Sequence, residues 1–574
     1  MDKLDFLFIH VETSLAPIMG HSYLAPLGTV SIATYLREQG FKARVVDTRR
    51  TFFTLKWLEN YLSERKPKFV GFTMYTDTIF NVNRIIKLVK KLSPASKIVC
   101  GGAHAAVSDE DLLRNYDVDV VVRTIGETAS LELLQNKQYG DINGISYLDS
   151  KRLVRNPDSP KIELDQYPSP DTSVVECVDR YPYGPSIITG RGCPYRCTFC
   201  AAGVISPKVH WRSIERNMED IDVARKDCFS GILSVLDDTF TVDMNRITEF
   251  CDRIKEKGGG EEFIWFAEGR VDTISKNPGL LKKMYDSGFR LLQLGVESGD
   301  RKVLNAYRKN IDLDDVLSTV KECAELGIFM HTNFIVGGPF ESDETIENTR
   351  NFAYKLLEAG GGYLQIGFPY LSPFPGTDIY DDPDAYGLKM LDPKLYRTAI
   401  FDNCVTETEA LSREEIIWHR CNLMDEVRNA MFETIKSQND EFIKNCHEAK
   451  RIAGEFHMSL VAEYYDDWTS YQMSLWSLLF DSIENIPQLK KTGGNDIKTL
   501  IPTRTASVVI NEDGRVDFPY IKESISPLES QIYDFSAGKL TSYEIAKEID
   551  VDYKKVEEAV RSLENIQAIC YRTY

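Results

Sequence analysis

The stretch that decides the fold is Gly190-Arg191-Gly192-Cys193-Pro194-Tyr195-Arg196-Cys197-Thr198-Phe199-Cys200, which directly follows a predicted strand. Its cysteines have the spacing C-x3-C-x2-C. Three thiolates this close, in a loop opened by two glycines, can each bind one iron of a [4Fe-4S] cube and leave the fourth iron open. A structural zinc site would need a fourth ligand nearby, and the nearest candidate, His210, lies ten residues beyond Cys200. A zinc site and a chance cluster of buried free cysteines are the alternatives.

A series of strands and helices continues from this stretch to about Thr377. Six short apolar runs alternate with helical stretches, which predicts a partial (β/α)6 barrel. Barrel enzymes assemble their sites at the carboxyl ends of the strands, and acidic, hydroxyl and glycine residues follow these runs. The predicted strands are Ser186–Thr189, Ile232–Val235, Phe263–Glu268, Leu291–Val296, Met330–Ile335 and Tyr363–Phe368.

The region before the cysteine stretch has a similar alternation from Leu4 to about Leu134. It predicts an α/β fold with a doubly wound parallel sheet, whose ligand lies beyond the carboxyl ends of the strands. Small and hydroxyl residues follow those ends, which lets a large ligand approach the backbone. The predicted strands are Leu4–His10, Ala43–Asp47, Phe69–Met74, Lys97–Cys100 and Val118–Val122.

The remaining segments differ in composition. A stretch rich in Asp, Pro and Tyr predicts an irregular linker with a small hairpin. The region beyond Leu391 is predicted to be helical, through Arg413–Asn439 and Asp440–Phe456, and its aromatic residues at helical spacing are expected mostly in the core: Trp418, Trp468, Tyr471 and Trp476. A short strand pair that turns at Asn511-Glu512-Asp513-Gly514, followed by three helical stretches, has the size and order of a winged helix. The predicted domains are a ligand-binding sheet (1–140), a linker (141–184), the barrel (185–400), a helical extension (401–495) and a winged-helix-like domain (496–574).

Composition excludes several classes of protein. The 574 residues, of which 43% are hydrophobic, allow about four folded domains. The formal net charge of −19 disfavours nucleic-acid binding. Twelve cysteines are too sparse for a disulfide scaffold. No apolar run approaches the roughly 20 residues that span a bilayer, and Met1–His10 lacks signal-peptide features, so we expect a soluble, unsecreted protein.

With the cysteine loop and the motifs at the strand ends, the chain resembles the cobalamin-dependent class of the radical S-adenosylmethionine (SAM) superfamily. The resemblance implies that Cys193, Cys197 and Cys200 hold the cluster and that SAM chelates its open iron. The motifs are Leu236-Asp237-Asp238-Thr239-Phe240, Ala267-Glu268-Gly269-Arg270, Gly295-Val296-Glu297-Ser298-Gly299 and Val336-Gly337-Gly338-Pro339. The SAM contacts implied are Phe199, Asp238, Glu268, Arg270, Glu297, Ser298, Gly338 and Pro339.

The first domain is similar to the cobalamin-binding domains that precede such barrels. It departs from the Asp-x-His-x-x-Gly motif, because Asp47 is followed by Thr48, Arg49 and Arg50, so no histidine is available there beneath cobalt. A flavodoxin-like sheet with a smaller ligand, or none, is the alternative. The cobalamin contacts implied are Leu27, Gly28, Asp47, Thr73, Tyr75, Gly101, Gly102, His104, Gly126 and Glu127.

The resemblance implies a C-methyltransferase that moves a methyl group from SAM through cobalamin to a carbon, while a second SAM yields the 5′-deoxyadenosyl radical. No catalytic residue beyond the cluster is required. The winged-helix-like segment is similar to leader-peptide-binding domains, which favours a peptide or amino-acid-derived substrate. Ring formation or oxidation without methyl transfer is the enzymatic alternative, and a DNA-binding sensor is the alternative from another class. We expect an electron donor such as flavodoxin or ferredoxin, no nucleic-acid partner, no membrane span and a cytoplasmic location.

Overall fold

The structure is a computed structural model. Most of the predicted helix Asp440–Phe456, the predicted turn at 511–514, and Trp468, Tyr471 and Trp476 lie outside the residues that it describes. The described residues are 3–11, 25–48, 53, 55–158, 162–176, 185–226, 231–391, 404–437, 441–442, 444–445, 498, 501–504, 509–510, 516–517, 525–536, 540–565 and 569–572.

The first domain is a sheet with strand order β2-β1-β3-β4-β5-β6-β7, in which the first five strands are parallel. Its strands are apolar runs covered by helices on both faces, as parallel sheets require. The order reverses between β1 and β3, and a crevice at the carboxyl ends opens at such a point. The strands are β1 Phe6–His10, β2 Ala43–Asp47, β3 Phe69–Thr73, β4 Lys97–Gly101, β5 Val120–Val122, β6 Ile145–Asp149 and β7 Arg152–Arg155, and the helices are α1 Leu27–Glu38, α2 Leu55–Arg65, α3 Ile79–Leu92, α4 Ala103–Val107, α5 Asp109–Asn115 and α6 Gly126–Leu134.

The predicted linker contributes to both domains. Its hairpin, β6 and β7, pairs antiparallel with β5, so the first sheet continues to Arg155. Farther along, the hydroxyl of Tyr167 lies 2.7 Å from that of Thr128 in the first domain. The carbonyl of Leu164 accepts a hydrogen bond of 2.5 Å from Arg212 in the barrel. The segment therefore contacts both domains and connects them.

The second domain is a six-stranded parallel sheet with strand order β15-β14-β13-β12-β11-β8, which confirms the predicted partial barrel. Its helices cover the outer face, where fully buried Trp265 packs on Phe250 and Phe289. The strands are β8 Ser186–Ile187, β9 Gly190–Arg191, β10 His210–Trp211, β11 Ile232–Val235, β12 Ile264–Gly269, β13 Phe289–Glu297, β14 Phe329–Phe334 and β15 Leu364–Gly367, and the helices are α7 Ala202–Ile205, α8 Ile214–Lys226, α9 Met244–Glu256, α10 Val271–Ile274, α11 Leu280–Asp286, α12 Arg301–Ala306, α13 Leu313–Leu326, α14 Asp343–Gly360 and α15 Asp378–Asp381.

The helical extension packs on the edge of the barrel. Strands β16 (Leu388–Met390) and β17 (Thr406–Thr408) form a small hairpin before α16 (Arg413–Lys436). Helix α16 packs against α14 and β15, and its fully buried Arg420 donates a hydrogen bond of 2.5 Å to the carbonyl of Phe368. Trp418 was expected in the core but is 60% exposed, because it lies on the opposite face of α16.

The last described segment has its own apolar core, which includes Ile532, Ile545 and Val560. Its three helices agree with the predicted elements, its described strands form two antiparallel pairs where one was predicted, and the winged helix itself stays a prediction. Of the helices in the described part of the chain, none combines the length and apolar composition that crossing a membrane requires. The elements are β18 Ile501–Arg504, β19 Val509–Ile510, β20 Val516–Asp517, α17 Pro527–Phe535, α18 Ser542–Glu548, α19 Tyr553–Asn565 and β21 Ile569–Arg572.

Candidate active site

The cysteine loop leaves β9 and ends at α7, at the carboxyl edge of the barrel. Gly192 opens it at φ +105°, and a side chain there would overlap a backbone carbonyl across the loop, so glycine is required. The N–H of Cys193 donates to the carbonyl of Ser206 at 3.0 Å, and the N–H of Cys200 donates to that of Cys197 at 3.2 Å. These bonds fold the loop back on itself and hold the three cysteines on one short turn of chain.

The three loop thiols are free and partly buried. Burial raises the pKa of Cys193 and raises that of Cys200 to about 11, so binding iron has to displace their protons. A cavity of about 300 Å³ is lined by Cys197 and Cys200. Two of the three thiols line this cavity and Cys193 lies on the same short loop, an arrangement that fits a [4Fe-4S] cube.

A single metal ion requires a tighter arrangement of ligands. Over the described ranges, no group of three or more His, Cys, Asp and Glu side chains converges to hold one ion. A cube does not require this convergence, since each of its cysteines binds a separate iron.

Arg270 places a positive charge beside the loop. Its guanidinium lies 3.6 Å from the centre of the Tyr195 ring and pairs with Asp272 at 2.9 Å. One of its nitrogens is 3.9 Å from the sulfur of Cys197. A fixed cation at this distance attracts negative charge on the sulfur. We therefore expect Arg270 to have a function at the cysteine loop in addition to its predicted contact with SAM.

The acidic pair after β11 anchors the loop backbone. Asp237 is buried and accepts hydrogen bonds from the backbone and hydroxyl of Thr189 and from the N–H of Gly190. Burial raises its pKa to about 6. Asp238, a predicted SAM contact, accepts the N–H of Gly192 at 2.9 Å. One carboxylate oxygen of Asp238 therefore binds the loop, and no hydrogen bond from a described residue reaches the other.

Glu268, at the end of β12, has a carboxyl that pairs with no described residue. Its burial, and to a lesser degree the charge of Asp238, raise its pKa to about 7. A half-buried carboxyl without a partner is costly in its ionised form unless a cation joins it. The ammonium group of SAM is such a cation, so this residue fits its predicted role.

Glu297 ends β13 at φ +68°, in the left-handed region, where the register with β14 is irregular. Its carboxylate pairs with Lys309 at 2.7 Å, and both side chains are buried. The neighbouring hydroxyl of Ser298 lies 3.2 Å from that of Thr349. The structure thus supplies each of these two predicted SAM contacts with a protein partner that the sequence did not indicate.

The glycine turn after β14 is held by a residue that the sequence analysis missed. Glu341 accepts the N–H groups of Gly337 at 2.6 Å and Gly338 at 2.9 Å, while burial raises its pKa to about 7. A side chain at Gly338 would overlap the hydroxyl of Tyr307. Tyr307 is fully buried, packs edge-on against Phe199 at 5.0 Å, and its hydroxyl has no partner within the described residues.

The inner face of the barrel is polar at mid-height. Register places Glu268 beside Gln293, Gln293 beside His331, and His331 beside Gln365. These side chains share one face, opposite to the face that carries Trp265. Barrel interiors are normally filled by branched apolar residues, so this row is a candidate surface for polar groups of a ligand.

The carboxyl edge of the first sheet also carries unsatisfied polar atoms. His104 is buried, and its Nδ1 lies 3.1 Å from the hydroxyl of Thr76. Burial lowers its pKa to about 4, so the ring is neutral. Its Nε2, and the hydroxyls of Thr48 and Thr124, have no hydrogen-bond partner among the residues described. Such a set of buried polar atoms fits a large polar ligand such as a corrin with its amide side chains.

The other predicted cobalamin residues are dispersed along this edge. Asp47 is buried at the end of β2, whereas Tyr75 is 48% exposed. Leu27 instead lines a small cavity of about 40 Å³ between the domains. The remaining predicted residues lie at the start of α1 or at the ends of β3, β4 and β5. They are Gly28, Thr73, Gly101, Gly102 and Gly126.

The two candidate edges face each other. Helix α4, which follows β4 of the first sheet, packs against α7, which closes the cysteine loop. Val107, the last residue of α4, and Val204 in α7 both lie near Gly376. A cofactor at either edge therefore has the other edge as its neighbour.

Glu127, a predicted cobalamin contact, binds protein groups through its carboxylate. Its side chain is 2% exposed, and its carboxylate binds the hydroxyl of Ser31 at 2.7 Å and Arg191 at 2.7 and 3.2 Å. These bonds join the first domain to the strand that precedes the cysteines. Arg191 is 64 residues away in the chain, so local sequence did not indicate this pairing.

Comparison with known proteins matches each of the two domains to a protein family. A model of the B12 binding domain matches residues 21–134, and one of the Radical SAM superfamily matches residues 187–353. An uncharacterized methyltransferase of Pyrococcus horikoshii is 29% identical over 62% of this chain and 78% of its own length. The anaerobic magnesium-protoporphyrin IX monomethyl ester cyclase of Rubrivivax gelatinosus is 26% identical over 66% of this chain and 69% of its own. The structure of the radical SAM methyltransferase TsrM from Kitasatospora setae, with cobalamin and a [4Fe-4S] cluster bound, shares the fold, with TM-score 0.62 and 17% identity over 79% of this chain and 99% of that chain.

Fold and site together define a radical enzyme in which a cysteine-loop barrel faces a doubly wound ligand-binding sheet. The two matched domains, a B12 binding domain followed by a radical SAM domain, are those that the cobalamin-dependent class of the radical SAM superfamily combines. The cofactors of this chain are a [4Fe-4S] cluster, SAM and cobalamin. The resemblance, the fold class and the cofactors inferred from the sequence are confirmed, and the individual ligand residues stay predictions.

Proposed function

We propose that this protein is a cobalamin-dependent radical SAM C-methyltransferase that acts on a carbon of a polar, peptide or amino-acid-derived substrate. The observation that carries the proposal is the packing of α4 on α7, which sets the corrin edge against the cysteine loop. A methyl donor and a radical generator have to reach the same carbon, and this arrangement puts them side by side. The names of the relatives from Pyrococcus and Kitasatospora also favour methyl transfer.

The cluster ligands in this proposal are Cys193, Cys197 and Cys200. The cluster with SAM supplies a 5′-deoxyadenosyl radical, and cobalamin supplies a transferable methyl group. Arg270 stabilises negative charge on the Cys197 sulfur, and Asp238 keeps the loop backbone in place through Gly192.

SAM is held in this proposal by charged and close-packed groups around the loop. Glu268 takes the ammonium group, which supplies the cation that its buried carboxyl lacks. Glu297 pairs with Lys309 and accepts hydroxyl groups of SAM. The other proposed contacts are Phe199, Asp238, Arg270, Ser298, Gly338 and Pro339.

Cobalamin is held in this proposal at the carboxyl edge of the first sheet. His104 donates or accepts through its free Nε2, since Nδ1 is engaged by Thr76. We assign no ligand beneath cobalt. The other proposed contacts are Gly28, Asp47, Thr73, Tyr75, Gly101, Gly102 and Gly126.

The polar inner face of the barrel supports the substrate class. Gln293 is half-buried, and a neutral His331 lies beside it in register. Amide and imidazole groups pair with the amides and carboxyls of peptides and amino acids. His331 already lies 3.1 Å from the side-chain oxygen of Asn333 through its Nε2. The half-buried amide of Gln293 is therefore the group that an apolar lipid would leave unsatisfied, at a cost of about 1–3 kcal/mol.

The partners and location follow from the chemistry. A cluster at an accessible loop requires a reducing electron donor, for which we propose a flavodoxin or ferredoxin, and a reducing cytoplasm. The net charge of −19 argues against a nucleic-acid partner. A DNA-binding sensor would need a basic recognition helix, and α19 carries Glu557 and Glu558 beside Lys554 and Lys555.

The test uses anaerobically purified protein with bound corrin, SAM and a strong chemical reductant, without substrate. We expect about one equivalent of S-adenosylhomocysteine per corrin, together with 5′-deoxyadenosine from slow radical formation. Cys197→Ala is the matched variant, because it should lose iron and 5′-deoxyadenosine while keeping the corrin and the S-adenosylhomocysteine. The products are counted by mass spectrometry.

The rival without methyl transfer gives a different result. Ring formation or oxidation requires 5′-deoxyadenosine but no S-adenosylhomocysteine. If folded wild-type protein releases only the former, or binds no corrin, the methyltransferase proposal fails.

A further inference from the structure

We infer that Glu127 and Arg191 form an interdomain lock that positions the cysteine loop when cobalamin binds, and that Glu127 is not a cobalamin contact. The inference rests on the two cofactors of the family and does not depend on methyl transfer. The lock makes the affinity for cobalamin and the state of the cysteine loop depend on each other.

The geometry of the lock is bidentate. The two terminal nitrogens of Arg191 lie 2.7 and 3.2 Å from the two carboxylate oxygens of Glu127. The hydroxyl of Ser31 donates to the same carboxylate at 2.7 Å. These three hydrogen bonds orient the carboxylate toward Ser31 and Arg191.

Burial makes the lock strong. The Glu127 side chain is 2% exposed and the Arg191 side chain 33%, so water screens the pair weakly. Removing one partner of such a pair strands a buried charge. The two domains therefore keep the relative position in which Arg191 reaches the carboxylate of Glu127.

Each partner is attached directly to one cofactor edge. Glu127 is the second residue of α6, immediately after the turn that ends β5 at the edge of the first sheet. Arg191 is the last residue of β9, two positions before Cys193. A shift of the β5 turn on corrin binding therefore moves the strand that leads into the cluster cysteines.

The chain contains a matched control pair inside the first domain. Asp109 accepts the hydroxyl of Ser146 at 2.5 Å and two nitrogens of Arg155 at 2.8 and 2.9 Å, and its side chain is 5% exposed. The chemistry is the same as in the lock: one buried carboxylate, one hydroxyl and one bidentate arginine. Asp109 and Arg155 both belong to the first domain, so this pair does not join the domains.

The test measures the dissociation constant of hydroxocobalamin by equilibrium dialysis, with iron-free protein and with protein whose cluster has been reconstituted. Wild type and Asp109→Asn should bind at least about five-fold more tightly with the cluster, within the usual range of coupling. Glu127→Gln should reduce this ratio to less than two-fold. Arg191→Lys, which keeps the charge but loses the bidentate fork, should give an intermediate ratio.

A second measurement reports on the loop itself. Alkylation of the loop cysteines in iron-free protein should slow when cobalamin is added to wild type or Asp109→Asn, and should not change in Glu127→Gln. The inference is wrong if wild type shows no coupling in either measurement. It is also wrong if Glu127→Gln weakens cobalamin equally with and without the cluster, since that result assigns the carboxylate to cobalamin.

Discussion

The carboxyl group of Glu268 allows a sharp test of the proposed SAM site. We expect its ionised form to destabilise the SAM-free protein and to bind the ammonium group of SAM in the loaded protein. Burial and the charge of Asp238 raise its pKa from the ordinary 4.5 to about 7. The difference of about 2.5 pH units corresponds to about 3 kcal/mol of unfavourable free energy when the group is ionised, at about 1.4 kcal/mol per unit. Glu268→Gln removes that ionisation.

The direction of the pH effect follows from proton binding. Between about pH 4.5 and 7 the folded protein keeps the proton that the unfolded chain has lost, so stability falls as pH rises through this window. At pH 8 the Glu268→Gln variant should therefore be more stable than wild type by up to about 3 kcal/mol. Below pH 4.5 the two should coincide, since the carboxyl is then neutral in both states.

The assay is urea unfolding of SAM-free protein between pH 4 and 8, followed through the transition of the barrel. Glu358→Gln, which removes an exposed carboxylate of α14, is the control and should show no such trend. In the cluster-loaded protein, Glu268→Gln should bind SAM roughly 10- to 100-fold more weakly, from the loss of a charge-assisted hydrogen bond of about 1.5–3 kcal/mol. Equal stability of wild type and variant at pH 8 would refute the electrostatic reasoning, and unchanged SAM affinity would refute the assignment to the ammonium group.

Three further predictions concern single sites. Lys309→Met should lower the free energy of unfolding by about 3–5 kcal/mol because it strands buried Glu297, and Glu297→Gln in the same chain should restore most of it, as measured by urea unfolding. Gly338→Ala should cost about 1–3 kcal/mol because the new methyl group meets the hydroxyl of Tyr307, and Tyr307→Phe should relieve part of that cost in calorimetry. His104→Ala should weaken hydroxocobalamin about five- to ten-fold in equilibrium dialysis, for the loss of one hydrogen bond, while the iron content stays unchanged; an unchanged affinity would remove His104 from the pocket.

Much of the fold follows from local patterns in the sequence. The predicted strands Ala43–Asp47 and Ile232–Val235 have the same bounds in the structure, and the ends of the other parallel strands differ by a few residues. Alternating β and α stretches specify a parallel sheet because every crossover has to pack on the strands that it joins. The hairpin Ile145–Arg155 was placed in a linker, since the short antiparallel addition to β5 depends on a sheet edge that local sequence does not show.

Some residues of the candidate site could likewise be predicted from the sequence, and others could not. The cysteine loop and the glycine turn of Gly337 are contiguous motifs, so the sequence indicated them. Lys309, Tyr307 and Glu341 were missed, because a lysine, a tyrosine or a glutamate in a helical or turn stretch has no signal that distinguishes a buried partner from a solvated one.

The sequence by itself determined the class of chemistry: three cysteines at a fixed spacing after a strand, and a ligand-binding sheet ahead of them, are encoded by neighbours along the chain. Only the tertiary structure decided which charges meet. Glu127 was predicted as a cobalamin contact, and its carboxylate binds Arg191 across the domain boundary. Glu297 was predicted as a SAM contact, and its carboxylate pairs with the buried ammonium group of Lys309. The physical reason is that a buried carboxylate requires a cation, and which cation reaches it depends on packing between segments that are distant in sequence.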